Sequence, residues 1–443
     1  MQRVQAQEQT ATEERQPTWR PVTRVAFRFA VAYLGLFCLI YAQITFVYTG
    51  VLSFWLPQNA VLWQMSALDP VTHWVGRTVF GVDARLNPMS GSGDQAAIWV
   101  LVFCLLVVAV IITAVWSVLD RRRTAYPRLA AWFAVFLRLC LGGQMLFYGF
   151  AKVIPTQMPA PPLAALLEPF GNLSPMAVLW LQVGTSHPYE IALGSIEVLA
   201  GLLLFVPRTA TAGTVLSVAG TAQIFLLNMT YGVPVKILSA HLLVISVVLL
   251  APQARRLTGA LLGREVAAER RRLLFDSPRH DRIAAWVQVA LGLWVLAGCL
   301  VYNVQSWREF GGGREMPELY GIWSVTDFTV DGAALPPLLS DEVRWQKIVF
   351  DVPQVATYQR MDGELVDVAA SLSEGTLTLS DLSGESPSPL ATMTIDRHGP
   401  DSLRLEGTLD ERPVTITLDR LPLDEFTLHN RGFHWVQEEP FFG

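Results

Sequence analysis

AAIWVLVFCLLVVAVIITAVWSVL, residues 96–119, contains no charged side chain from end to end. A hydrocarbon layer about 30 Å thick takes about 20 helical residues to cross, so this run predicts a transmembrane helix. Phe29 to Leu56 and Ile283 to Trp307 are equally free of charge and long enough. Four more apolar segments lie between the outermost runs: Leu129 to Lys152, Tyr189 to Val206, Thr209 to Asn228 and Val235 to Ala251. These carry polar or ionisable residues along their lengths. None of the stretches alternates as a membrane barrel strand does, and backbone in lipid must bond within its own segment, so helices are the reading. The chain is expected to be an α-helical polytopic membrane protein with about seven transmembrane helices.

Composition agrees with that solvent. Hydrophobic residues make up 52% of the 443 positions and charged ones 16%, against roughly 25% charged in a soluble domain. Cut near Gln305, the chain has 23 Arg and Lys against 14 Asp and Glu before the cut, and 10 against 24 after it. Positive residues are retained on the cytoplasmic side of a membrane. Arg15, Arg20 and Arg24, then Arg121, Arg122, Arg123 and Arg128, then Arg208, then eight arginines from Arg255 to Arg282 fall in alternate loops. The intervening loops hold only Arg77 and Arg85. This bias predicts a cytoplasmic N-terminus and an external C-terminal part, whose net −14 argues against nucleic acid or anionic lipid as a partner.

From Glu309 onward the character changes. Gly311-Gly312-Gly313 makes a joint, and short β-favouring runs then alternate with turn signals, including Asp331-Gly332 and Asp362-Gly363. Gly321 to Val330, Trp345 to Val352, Val355 to Met361 and four shorter runs up to Leu418 predict an all-β barrel or sandwich. The expected organisation is a disordered cytoplasmic tail (1–24), two transmembrane helices joined by a long outer loop (25–128) and a four-helix membrane unit (129–256). A basic loop (257–282), a seventh helix (283–307), a linker (308–319) and an external β domain (320–443) follow. The outer loop, Pro57 to Gln95, carries Trp63 and Trp74 and suits the membrane interface as a lid.

Ionisable groups inside membrane helices are costly, so they are paired or functional. Counted from the expected cytoplasmic helix ends at about 1.5 Å per residue, Arg138, Glu197 and His241 fall at similar depth near the midplane. Arg138 and Glu197 are therefore expected to pair. Gln144, Tyr148 and Gln223, then Lys152 and Glu190, would extend this into a polar column facing the outside, able to hold a small polar or quinone-like head group. The same residues also serve as interhelical glue in many bundles, with Gly142, Gly143, Gly149, Gly194 and Gly213 allowing close packing. Cys38, Cys104, Cys140 and Cys299 all lie inside apolar runs without C-x-x-C spacing and read as small packing residues. His398, His429 and His434 are too scattered to form a metal site.

The stretches Arg138-Leu-Cys-Leu-Gly-Gly to Tyr148-Gly149-Phe-Ala-Lys152, and Glu190 to Pro207-Arg208 with Glu197-Val-Leu-Ala-Gly201 inside it, resemble the DoxX family of bacterial four-helix membrane proteins. The likeness runs from Arg138 to Arg256. It implies a protein of the bacterial cytoplasmic membrane with a quinone-linked or redox-associated role, a quinone as ligand, or an oxidoreductase as partner. The joining of a helical membrane part to an external β domain also resembles bacterial relatives of vitamin K-dependent γ-carboxylase. Gly321-Ile-Trp323 resembles the G-x-W opening of lipocalin-like barrels, which implies that Arg431 covers Trp323. That second likeness implies an alternative role, in which the helices only anchor an external domain that binds a ligand or protein.

Overall fold

A computed structural model describes residues 18–266, 274–382 and 389–442. Most of the expected tail, residues 1–17, and the middle of the basic loop, residues 267–273, lie outside the described residues. Among those described, seven helices are long and apolar enough to cross a membrane. They are α1 (Pro21–Ile40), α2 (Ala96–Leu119), α3 (Pro127–Val153), α4 (His187–Phe205), α5 (Ala210–Thr230), the span Lys236–Leu261, whose first helix is α6 (Lys236–Leu250), and α7 (Pro278–Glu309).

Two of the expected boundaries move, for local reasons. The first apolar run is not one long helix: α1 starts at Pro21, the proline-tolerant first turn, and ends at Ile40. Short helical turns, Ala42–Phe46 and Val47–Trp55, follow and contain Gly50 at φ 55°. The positive φ suits glycine, and a methyl group there would lie 2.5 Å from the Trp294 indole nitrogen, so backbone and ring occupy the space a side chain would need. The indole donates to the Tyr48 carbonyl at 3.0 Å. After α6, Pro252 sits in a turn, Ala251–Gln253, before the short helix Ala254–Leu261.

Helices α3 and α4 meet almost backbone to backbone. A methyl on Gly194 would lie 2.6 Å from the Gly149 carbonyl oxygen, and one on Gly149 would lie 2.8 Å from the Val198 nitrogen. Small residues at such crossings replace the hydrophobic drive that lipid-soluble helices lack. In α5 the buried face consists of Ala210, Gly213, Thr214, Ser217, Thr221 and Asn228. Its hydroxyls return to carbonyls one turn back, as Thr214 does to Ala210 at 2.8 Å and Ser217 to Gly213 at 2.8 Å, which hides their polarity inside the helix.

The C-terminal part is a closed antiparallel barrel of eight strands. They are β1 (Gly321–Val330), β2 (Trp345–Val352), β3 (Val355–Arg360), β4 (Leu365–Ser373), β5 (Thr376–Asp381), β6 (Ala391–Arg397), β7 (Ser402–Leu409) and β8 (Arg412–Leu421), with a two-residue strand, Ala333–Ala334, appended to β1. Neighbours in sequence are neighbours in the sheet, and β8 closes on β1 from Ile322↔Leu421 to Val330↔Val414. Closure removes the open edges that a sandwich would leave. Tight turns carry left-handed residues, Glu374-Gly375 at φ 51° and 77° and Asp410-Glu411 at φ 48° and 62°, as two-residue hairpins require. Trp323, Phe328, Trp345, Ile348, Leu379 and Ile416 belong to the buried core.

By compactness the chain forms two units, 1–157 with 188–305, and 158–187 with 306–443. The segment between α3 and α4 thus belongs with the barrel, although the sequence reading left it inside the membrane unit. Leu163 is buried with Ile322 and Val349, and its N–H donates to Asp351 Oδ2 at 2.8 Å. Arg314 holds the other oxygen of that carboxylate at 2.5 Å. Burial, and then the Asp351 charge, push the nearby Tyr320 phenol up from its ordinary pKa.

Trp323 donates to the Leu319 carbonyl at 2.8 Å. The guanidinium above its ring is that of Arg420, 6.0 Å from the centroid, and not the expected Arg431, which stacks on Phe441 at 4.1 Å. The reason is register: Trp323 and Arg420 are paired residues of β1 and β8, whereas Arg431 lies past the last strand.

Gly194→Val should force α3 and α4 apart, costing about 1–3 kcal/mol as overpacking does. Thermal unfolding in detergent should show a lowered midpoint, and an unchanged one would mean the crossing is not tight.

Candidate functional site

Positions 140, 144, 148 and 152 of α3 are four apart and so share one face. Their occupants, Cys140, Gln144, Tyr148 and Lys152, are the stripe from which the site is built. At its C-terminal step the Lys152 ammonium meets Glu197 Oε2 of α4 at 2.9 Å, with both side chains 8% exposed. The α3–α4 glycine crossing brings them together: a methyl group on Gly194 would lie 2.7 Å from the Lys152 Cβ.

The expected pairing of Arg138 with Glu197 is therefore corrected. Arg138 precedes Lys152 by fourteen residues, roughly 21 Å along the helix at 1.5 Å per residue, beyond the reach of a side chain. Arg138 instead donates to Gln288 of α7. Depth counting failed because it took the inner ends of α3 and α4 as level. In fact Gly142 already faces Leu204 and Phe205 at the end of α4, and the first half of α3 extends beyond it.

Next along the stripe, Tyr148 accepts a hydrogen bond from Gln43 Nε2 at 2.7 Å, and Lys152 Nζ stands 5.9 Å from the Tyr148 ring centroid. Gln144 is fully buried and donates to the Gln43 carbonyl at 3.0 Å. Its Oε1 is buried without a hydrogen-bond partner among the described residues. Gln43 thus bridges two steps of the stripe, from the short helical turn that follows α1.

A cavity of about 250 Å³ opens over this arrangement, lined by Tyr41, Gln43, Met65, Asn87, Gln95 and Tyr148 among others. One wall is the loop expected to act as a lid, and two sets of hydrogen bonds hold that loop. Asn87 N–H donates to Gln95 Oε1 at 2.8 Å while Gln95 Nε2 returns to the Asn87 carbonyl at 3.0 Å. Asp94 caps α6, accepting from Lys236 N at 2.9 Å and Ile237 N at 3.0 Å, with Lys236 Nζ at 3.3 Å. A carboxylate on a helix N-terminus is favoured by the exposed N–H groups and the helix dipole.

The remaining expected residues sit elsewhere. Glu190 is buried in the first turn of α4. Gln223 is exposed, off the buried face of α5, so it leaves the polar column. His241 belongs to the α1–α6 contact: its ring lies flat on Phe37 at 3.7 Å between centroids. Nδ1 faces the Ile237 carbonyl at 2.6 Å, and Nε2 faces the Tyr33 hydroxyl at 2.8 Å. A carbonyl can only accept, so Nδ1 carries the proton and Nε2 accepts from Tyr33.

Sequence reading missed Gln43 and Tyr41 because the first apolar run was read only for its lack of charge, and Asp94 because it lies in the loop that was read for its tryptophans. The signal was the stretch Tyr41-Ala-Gln43-Ile-Thr45, which is too polar for a lipid-facing turn. Buried polar residues also occur on α1 and α7: Arg28, one position before the charge-free run of α1, is buried and donates twice to the Tyr126 hydroxyl at 2.9 and 2.7 Å. On α7, Gln288 and Asn303 are both buried.

A 131-residue stretch of the chain is 32% identical to "Uncharacterized protein YwoB" of Bacillus subtilis (strain 168), covering 28% of this chain and 77% of that relative. No family model matches the chain. No solved structure matches it either.

Breaking a buried pair from one side leaves an unpaired charge, typically at a cost of about 3–5 kcal/mol. Lys152→Met and Glu197→Gln should each destabilise the protein to that degree, and the double substitution should recover most of the loss. A double-mutant cycle by thermal unfolding checks this; additive losses would mean the two groups do not interact.

Proposed function

The chain belongs to the family of the Bacillus subtilis protein YwoB, and we propose that it is a DoxX-like membrane protein whose helical unit binds the head group of a quinone. The binding place is the cavity under residues 57–95. The observation that carries this is the Tyr148 hydroxyl, held by Gln43 at the cavity wall with the buried Lys152–Glu197 pair one turn behind it.

A quinone head is a flat apolar ring with two carbonyl acceptors. Tyr148 and Tyr41 offer phenolic donors, Met65 and Leu62 offer apolar walls, and the nearby ammonium favours electron density on a bound oxygen. A cavity of about 250 Å³ is small for a whole ligand but suits a head group whose tail stays in lipid.

The arginine distribution supports placing the N-terminus in the cytoplasm and the barrel outside a bacterial cytoplasmic membrane. Reading the helices as an anchor for a ligand-binding barrel draws less support, because side chains such as Trp345, Phe328 and Met393 fill the barrel core.

Tyr148→Phe and Gln43→Leu should each weaken binding of a short-tailed ubiquinone analogue about tenfold, or ~1.4 kcal/mol, as loss of one well-placed hydrogen bond does. Titration of the purified full chain measures this. Unchanged affinity in both folded variants would overturn the reading.

A further inference from the structure

The place where α1 begins, α2 ends and α3 begins takes no part in the cavity, and it is strongly charged. Residues 19–28 and 119–128 together hold seven arginines, no lysine and one carboxylate, Asp120. No acidic residue stands in the first turn of α1 or of α3.

A buried network gives these arginines a fixed frame. Arg28 donates to the Tyr126 hydroxyl, to Ser117 Oγ at 3.0 Å and to the Asp120 carbonyl at 3.0 Å, and Tyr126 donates its own proton to Asp120 Oδ2 at 2.9 Å. One turn earlier on α1, Arg24 donates to the Arg123 carbonyl at 2.9 Å. Before the helix starts, the Trp19 N–H donates to the Thr124 carbonyl at 3.0 Å. These three rungs fasten the start of α1 to the α2–α3 loop. Arg20 follows Trp19 and Arg123 precedes Thr124, so two arginines about a hundred positions apart each lie one residue from the same backbone contact. Both are exposed.

Little negative charge offsets them. Asp120 is held by Tyr126 and lies 4.0 Å from Arg123 Nη1, and Arg128 pairs with Asp276 at 2.6 Å. Arg20, Arg24, Arg121 and Arg122 have no carboxylate partner among the described residues.

We infer that this patch seats the phosphate of an anionic phospholipid between Arg20, Arg24 and Arg123, with Arg121 and Arg122 beside it. The inference is independent of the quinone reading. A guanidinium presents a planar fork that matches two phosphate oxygens, whereas an ammonium acts as a point charge, and the patch uses arginine alone. Trp19 and Tyr126, with ring centroids 6.1 Å apart, are residues of the kind that mark the headgroup level of a bilayer. Val22 and Val25 on α1, and Val118 and Leu119 on α2, are exposed next to the arginines. They offer acyl chains an apolar border that a free phosphate would leave uncovered. A zwitterionic headgroup would bring an ammonium among the guanidinium groups, where like charges repel; a phosphatidylglycerol headgroup brings none.

Native mass spectrometry of the full chain in detergent, mixed with equal amounts of phosphatidylglycerol and phosphatidylcholine, tests this. Phosphatidylglycerol should be retained in clear preference. Arg20→Gln/Arg123→Gln alters two surface side chains and should weaken that retention about fivefold for each arginine removed. Arg255→Gln/Arg264→Gln removes the same charge from exposed positions of another segment and should leave retention unchanged. Equal retention of the two lipids by the wild-type protein would overturn the inference, a comparison that needs no variant. Equal losses in the two double variants would overturn it as well, because a diffuse charge effect would then account for the preference. Excess inorganic phosphate should not displace the lipid; displacement would make free phosphate the occupant and overturn the lipid assignment.

Discussion

The backbone contact between α3 and α4 is the constraint from which the rest of the membrane unit follows. Lipid gives helices no hydrophobic reason to associate, so they adhere through close packing and buried polar contacts. Gly149 and Gly194 remove the side chains that would hold the helices apart. Once the backbones touch, Lys152 and Glu197 are brought within 2.9 Å and away from solvent, where each charge depends on the other. The face of α3 that carries Lys152 is thereby fixed in rotation, and Tyr148, Gln144 and Cys140 turn with it toward α1.

The other wall comes from a failure of regularity. Had α1 continued through the first apolar run, Gln43 would sit within a regular helix. Its end at Ile40, and the turns that lead to Gly50, let Gln43 reach Tyr148 with its amide and Gln144 with its carbonyl. Irregular backbone within a membrane unit persists where protein covers it. Here Trp294 of α7 covers Gly50 and bonds the adjoining carbonyl. Asp94, through the α6 N-terminus, holds the loop that closes the cavity from the other side.

The barrel obeys a different economy. It stands on alternation: inward side chains fill it, outward ones carry the negative charge, and closure of β1 on β8 leaves no long edge. The segment between α3 and α4 packs Leu163 onto its base, so this unit is assembled from two separate parts of the chain. Its acidic surface and the arginine-rich loops of the helical part separate two charge regimes within one polypeptide.

Sequence by itself determined the class of fold. A run such as residues 96–119 has no stable solution except a helix in lipid, and alternating runs with Asp-Gly turns have few solutions except antiparallel strands, because hydrophobicity and backbone bonding act locally. It also found most of the polar residues of α3 and α4, since a charge in an apolar run stands out. Tertiary structure alone decided which of them meet. The partner of Glu197 is Lys152 and not Arg138, and the cover of Trp323 is Arg420 and not Arg431. The physical reason is that depth and pairing depend on where two helices cross and how two strands register. Those are set by contacts between segments far apart in sequence, which no count along one segment contains.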